Sequence, residues 1–161
     1  MTDAVLEATR ESADVMPACL AALRRGEPVL LTDGSGEQHM VIAAELVTAP
    51  TMAMLVRHSS GFVCVAVTGE RLAALDIPLM AADGEDREAF AVSVDAVAGP
   101  TTGISAHDRA ITARTLADPA STPADLVRPG HVVPVRVRPG GVLERAFRSS
   151  DAPGAQRSGI P

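Results

Sequence analysis

The sequence predicts an α/β (α+β) domain with helices on both faces of a mixed sheet, and three observations predict it. Apolar runs of β-type pattern interleave with runs of helical period along the chain. The 161 residues suit one domain, and 47% hydrophobic content suffices for one core. No internal repeat divides the chain.

Between Asp14 and Arg25, Val15, Ala18, Cys19, Ala22 and Leu23 recur at helical spacing, and Gly26 supplies the stop. Pro28 to Thr32 reads as a strand and Met40 to Ala44 as a second, separated by the polar run Asp33 to His39. A helix is expected to open at Thr48-Ala49-Pro50, where proline fits the first turn, and to end near His58. From Gly61 to Thr68 both pleat faces are apolar, with Phe62, Cys64 and Ala66 on one and Val63, Val65 and Val67 on the other. A central strand covered on both sides is the expectation.

Gly69 to Leu75 gives a short helix, Asp83 to Glu88 a charged loop and Phe90 to Val97 a strand. Ser105 is placed to cap a helix reaching Leu116, with Asp108 at capping-box spacing. Val132 to Val137 is the last strand and Pro139-Gly140-Gly141 a turn. Residues 146–161 have the composition of a flexible tail, so the domain is expected over 1–145.

Composition removes several function classes. Three Phe with neither Trp nor Tyr leave little to stack on bases. All 14 basic residues are Arg and the net charge is −6, so no basic field draws nucleic acid or anionic membrane. Two cysteines make no disulfide framework, the first residues lack a secretory pattern, and no run is long enough to span a bilayer. A soluble cytoplasmic protein is expected, with no nucleic-acid or membrane partner.

Chemistry-capable residues gather in three segments: Arg57-His58-Ser59-Ser60-Gly61-Phe62-Val63-Cys64, Thr101 to Arg109, and Arg128-Pro129-Gly130-His131. Just before a strand, His131 is placed to reach a cleft as base or metal ligand, or to be satisfied in its own loop. The planar fork of Arg128 suits a phosphate or carboxylate, or a surface ion pair. Thr101, Thr102 and Gly103 lead into a helix start whose N–H groups favour an anion, or serve only as its cap. Asp108 is an acid/base group or a cap, and Arg57 and His58 suit a helix C-terminus. In a strand, Cys64 is a small buried hydrophobe unless a neighbouring cation stabilises its thiolate.

These segments, with Phe90-Ala91-Val92-Ser93-Val94-Asp95-Ala96, Arg114 and Gly140-Gly141-Val142-Leu143, resemble the 3,4-dihydroxy-2-butanone 4-phosphate synthase family in collinear order from about Ala21 to Leu143. The resemblance implies a three-layer α/β/α sandwich around a mixed sheet, a homodimer with sites near its interface, and a small anionic substrate. The family's reaction converts ribulose 5-phosphate to a four-carbon ketone phosphate and formate with magnesium. Carried over residue by residue, it implies Cys64, Asp108, Arg114 and His131 as catalytic, and Thr101, Thr102, Arg114, Arg128 and Gly130 as substrate-binding. Glu37 and His131 would hold the divalent metal.

The family's acidic loop is shortened here to Asp33-Gly34-Ser35-Gly36-Glu37-Gln38-His39, which lacks its Arg and leaves Glu37 as the replacement carboxylate. Were His39 to face His131, two imidazoles would favour zinc over magnesium. Past Leu143 the chain reads Glu144-Arg145-Ala146-Phe147, where the family carries a His-Thr-Glu-Ala segment and a further essential Glu. The expectation is therefore a diverged, C-terminally shortened relative, a metal-assisted lyase or isomerase on a small hydroxyketone or sugar phosphate and not an efficient riboflavin-pathway synthase. The alternative is a non-catalytic dimeric scaffold that binds a ligand or partner.

Overall fold

A chain without Trp or Tyr must close its core with aliphatic side chains, and these decide how its elements stack. The computed structural model describes residues 6–8, 15–32, 36, 38–80 and 89–137. Within them lie two three-stranded sheets, both mixed. In the first, β1 (Leu6–Ala8) runs parallel to β2 (Val29–Thr32), which pairs antiparallel with β3 (Gln38–Val41). In the second, β4 (Cys64–Val67) runs parallel to β6 (Leu126–Arg136), whose other neighbour, β5 (Val94–Ala96), is antiparallel. The helices are α1 (Val15–Arg24), α2 (Ala49–His58), α3 (Gly69–Ala74) and α4 (Ala106–Ala117). The α/β class with mixed sheets in a single domain is thus as expected.

Local chemistry places the helix ends. Gly26, at φ 73°, takes the left-handed conformation that stops α1. Thr48 and Thr51 cap α2 reciprocally, Thr51 N donating to Thr48 Oγ1 at 3.3 Å and Thr48 N to Thr51 Oγ1 at 2.8 Å. Arg57 and His58 occupy its last turn, where the dipole favours cations.

The main core gathers Val47, Met52, Val65, Leu72, Leu75, Val94, Leu116 and Val132. At its centre, α4 contacts α2 and all three strands of the second sheet. Ala110 and Ala113, both buried, let the helix approach its neighbours closely. A smaller cluster of Cys19, Ala22 and Val29 seats α1 on β2. Arg71 of α3 closes the far end of α4: its guanidinium donates to Leu116 O at 3.0 Å, Ser121 O at 3.3 Å, Thr115 O at 3.4 Å and to Asp118 O. Carbonyls at a helix end lack internal partners, and one planar cation here serves several.

Several expectations change. The Gly61 to Thr68 segment is not covered on both sides: Val65 and Val67 face the core, whereas Cys64 and Ala66 are exposed and Phe62 is 61% exposed. Among the described residues β4 is also the edge of its sheet. Alternating apolar residues cannot report which faces the rest of the chain covers. The Phe90 to Val97 strand contracts to β5 plus isolated bridges, Phe90 to Val135 and Leu79 to Ala91. The Met40 to Ala44 strand ends at Val41, because Ala44–Leu46 turns into a 3₁₀ helix. The charged loop 83–88, the turn 139–141 and the tail 146–161 lie outside the described residues.

Leu116, fully buried where α4 meets the core, gives a direct test of this packing. Leu116→Ala is expected to lower stability by about 2–5 kcal/mol, read as a reduced urea midpoint at unchanged slope.

Candidate functional site

The regular ladder between β5 and β6 breaks at one place. Val94 pairs with Val132, yet the next residue, Asp95, pairs with Val127, so Arg128-Pro129-Gly130-His131 bulges out of register. The Arg128–Pro129 peptide within it is cis. Gly130 lies so close to β5 that a Cβ would overlap the Val94 carbonyl and the Asp95 amide, which restricts the position to glycine. Its N–H donates to Ser93 Oγ at 3.2 Å.

This close approach delivers His131 to Asp95. The main-chain N–H of His131 donates to Asp95 Oδ1 at 2.9 Å, and its ring Nδ1 lies 2.7 Å from Asp95 Oδ2. The imidazole is 41% exposed but the carboxylate only 11%, so the pair is anchored inside and open on its outer, Nε2 side. Gly103 closes over it at φ 85°, and a Cβ there would overlap Asp95 Oδ2 and come within 2.6 Å of His131 Nδ1.

The loop carrying Gly103 is held from below by Asp108, 1% exposed in the first turn of α4. Thr101 Oγ1 and Gly103 N each donate to Asp108 Oδ2 at 3.1 Å, and Asp108 N donates to Ser105 Oγ at 3.1 Å. Burial alone would push the Asp108 carboxyl up. Hydrogen bonds from Thr101, Gly103 and Ser105 together outweigh it and hold the group below the ordinary carboxylate range. One turn on, Thr112 Oγ1 donates to Asp108 O at 3.0 Å and accepts from Ala96 N at 3.0 Å, joining α4 to β5.

These positions show what each of the sequence-derived site residues contacts. Half of the expected capping box forms: Ser105 caps Asp108 N, but the Asp108 carboxylate turns to the Thr101–Gly103 loop. Buried there, it braces the loop. The Thr101 and Gly103 donors that suggested an anion site already serve this internal carboxylate, while Thr102 is exposed. Arg114 Nη1 donates to Val47 O at 2.6 Å and Arg128 Nη2 to Leu75 O, so each guanidinium ties a carbonyl. Cys64 is exposed at the start of β4, in register with Val133. Nearby, Arg109 Nη1 holds Gly61 O at 2.9 Å.

His39 lies on β3, in the other sheet, and His131 meets Asp95 instead of a second imidazole. Among the described residues no group of three His, Cys, Asp or Glu side chains is placed to hold a metal, and Glu37 lies outside them.

Asp95 and Ser93 were not among the sequence-derived site residues. A charged side chain inside the apolar run Val92-Ser93-Val94-Asp95-Ala96 was the available signal, since an aspartate is rarely buried without a partner.

The sequence profile of 3,4-dihydroxy-2-butanone 4-phosphate synthase matches residues 17–149. The chain belongs to that family. Among relatives, the protein of that name from Schizosaccharomyces pombe is 55% identical over 122 residues, covering 73% of this chain and 60% of the relative. The synthase of Desulfatibacillum aliphaticivorans is 42% identical over 150 residues, covering 90% and 70%. A synthase crystal structure in complex with two magnesium ions superimposes with a TM-score of 0.77 at 47% identity, over 81% of this chain and 63% of that one. The Candida albicans synthase structure gives 0.76 at 43% identity, over 81% and 66%. The chain thus spans about 60–70% of the length of these family members.

The lowered Asp108 carboxyl fixes the sign of a pH effect. Unfolded, Asp108 binds its proton more readily than folded, so its contribution is complete at neutral pH and is lost as pH falls through the lowered folded value. Asp108→Asn is expected to melt several degrees below wild type at neutral pH, with the gap narrowing in acid. Melting curves across pH check this, and a gap that widens in acid refutes it.

Proposed function

We propose that this chain is a lyase-type enzyme of the riboflavin pathway that acts on a small hydroxyketone or sugar phosphate, with His131 as its proton-transfer group. The observation that carries the reading is the fixed, outward-facing imidazole of His131 in the Arg128-Pro129-Gly130-His131 bulge. Hydrogen on a carbon beside a carbonyl is removable by a positioned base, because the charge left behind spreads onto oxygen as an enediolate. With Nδ1 donating to Asp95, Nε2 carries the lone pair that takes such a proton. Ribulose 5-phosphate, the family's substrate, has such a carbon.

The relative with two magnesium ions supports a divalent cofactor. Magnesium prefers oxygen ligands, so Glu37 would hold it through its carboxylate, and His131, which the family resemblance pairs with Glu37 at the metal, is read here as the proton-transfer group. Identity of 55% to a named synthase supports the family's own substrate. The expectation of poor efficiency rests on the Glu37 loop and on the segment after Leu143, both outside the described residues apart from Gly36, Gln38 and His39. No helix among the described residues is long and apolar enough to cross a membrane, and the low cysteine count suits a cytoplasmic enzyme.

The test is formate release from ribulose 5-phosphate by the purified chain, with and without magnesium. His131→Ala is expected to reduce turnover by about 10²–10⁴-fold. Absence of formate from the wild type with magnesium would overturn the reading.

We also propose a homodimer. Phe62, Ile104, Val97 and Val127 are 61%, 59%, 54% and 48% exposed, and a second copy that covered them would remove this apolar surface from water. Light scattering at micromolar concentration is expected to give twice the chain mass, and a stable monomer would refute it.

A further inference from the structure

We infer that Asp95 is the positioning residue of this site, setting both the orientation and the tautomer of His131. The inference deepens the lyase reading and rests on it for its kinetic consequence, though not for its geometry.

Asp95 accepts twice from one residue. Its Oδ1 takes the main-chain N–H of His131 at 2.9 Å and its Oδ2 faces the ring Nδ1 at 2.7 Å. Two contacts from one carboxylate fix the imidazole in place and in rotation. An ionised carboxylate can only accept, so Nδ1 must carry the proton and Nε2 is left as the lone-pair nitrogen. Gly103 packs directly against the pair: any Cβ there would overlap Asp95 Oδ2, so only glycine lets this loop lie against the carboxylate and the ring. Asp108 and Thr112 hold that loop and β5 against α4, so the clamp is backed by buried structure.

Asparagine at this position keeps the shape and changes one thing. Of its two ends, one accepts and one donates, whereas His131 presents a main-chain N–H that cannot move its proton and a ring that can. The amide oxygen therefore stays with the main-chain N–H and the amide NH₂ faces Nδ1. The ring shifts its proton to Nε2, and the outward nitrogen no longer accepts one.

The experiment combines nitrogen-15 histidine spectra at mildly alkaline pH with steady-state kinetics on ribulose 5-phosphate and magnesium, in wild type and Asp95→Asn. Four histidines are present, and the His131 signals are assigned by their loss in His131→Gln. Wild type is expected to show the Nδ1–H form at His131 and Asp95→Asn the Nε2–H form. The variant's kcat is expected to fall about 10²–10⁴-fold with KM within about threefold. An Nε2–H form in wild type overturns the inference whether or not the variant folds. So does a folded Asp95→Asn with wild-type kcat, or a loss of kcat with the tautomer unchanged. An Nδ1–H wild type that changes tautomer in Asp95→Asn but releases no formate supports the clamp while overturning the lyase reading.

Discussion

Everything around the candidate site is arranged so that one buried carboxylate can accept two hydrogen bonds from one histidine. Asp95 is placed by β5, at the point where the ladder to β6 breaks, and His131 is the last residue of the bulge that the break creates. A carboxylate taken from water needs its lone pairs filled, and this pair fills them with a residue that must also be aimed. The bulge turns a structural requirement into a functional one, because an in-register strand would carry His131 past Asp95.

The same logic recurs one layer deeper. Asp108 is buried at the start of α4, where the helix dipole favours a negative charge, and its acceptors are filled by the loop that lies over Asp95 and His131. Two aspartates thus share the site with separate tasks. Asp108 holds the loop in place, and Asp95 holds the imidazole. Gly103 and Gly130 are the positions that permit such closeness, one at positive φ and both with no space for a side chain. Arg114 and Arg128, which suggested ligand binding, hold carbonyls at helix and loop ends, as Arg71 does.

Much of this architecture was legible in the linear pattern. The helices at Val15–Arg24, Ala49–His58, Gly69–Ala74 and Ala106–Ala117 were recognisable from period, caps and stop residues, since these depend on neighbours within a few positions. Arg128-Pro129-Gly130-His131 stood out as polar chemistry beside a strand, and its resemblance to the family was sound. The role of Asp108 was half legible: the cap from Ser105 is local, but the loop its carboxylate holds is set by the path of the chain before the helix.

The sequence by itself determined the α/β class, the family and the histidine, because each is written in local periodicity or in a contiguous motif. Tertiary structure alone decided what that histidine meets. Asp95 and His131 are 36 positions apart, and only a strand pairing with a register break brings them within 2.7 Å. It also decided that Cys64 faces outward, that His39 belongs to the other sheet, and that Arg114 and Arg128 bind carbonyls. Those outcomes depend on which surfaces pack together, and no spacing along the chain encodes a surface that forms only when distant segments meet.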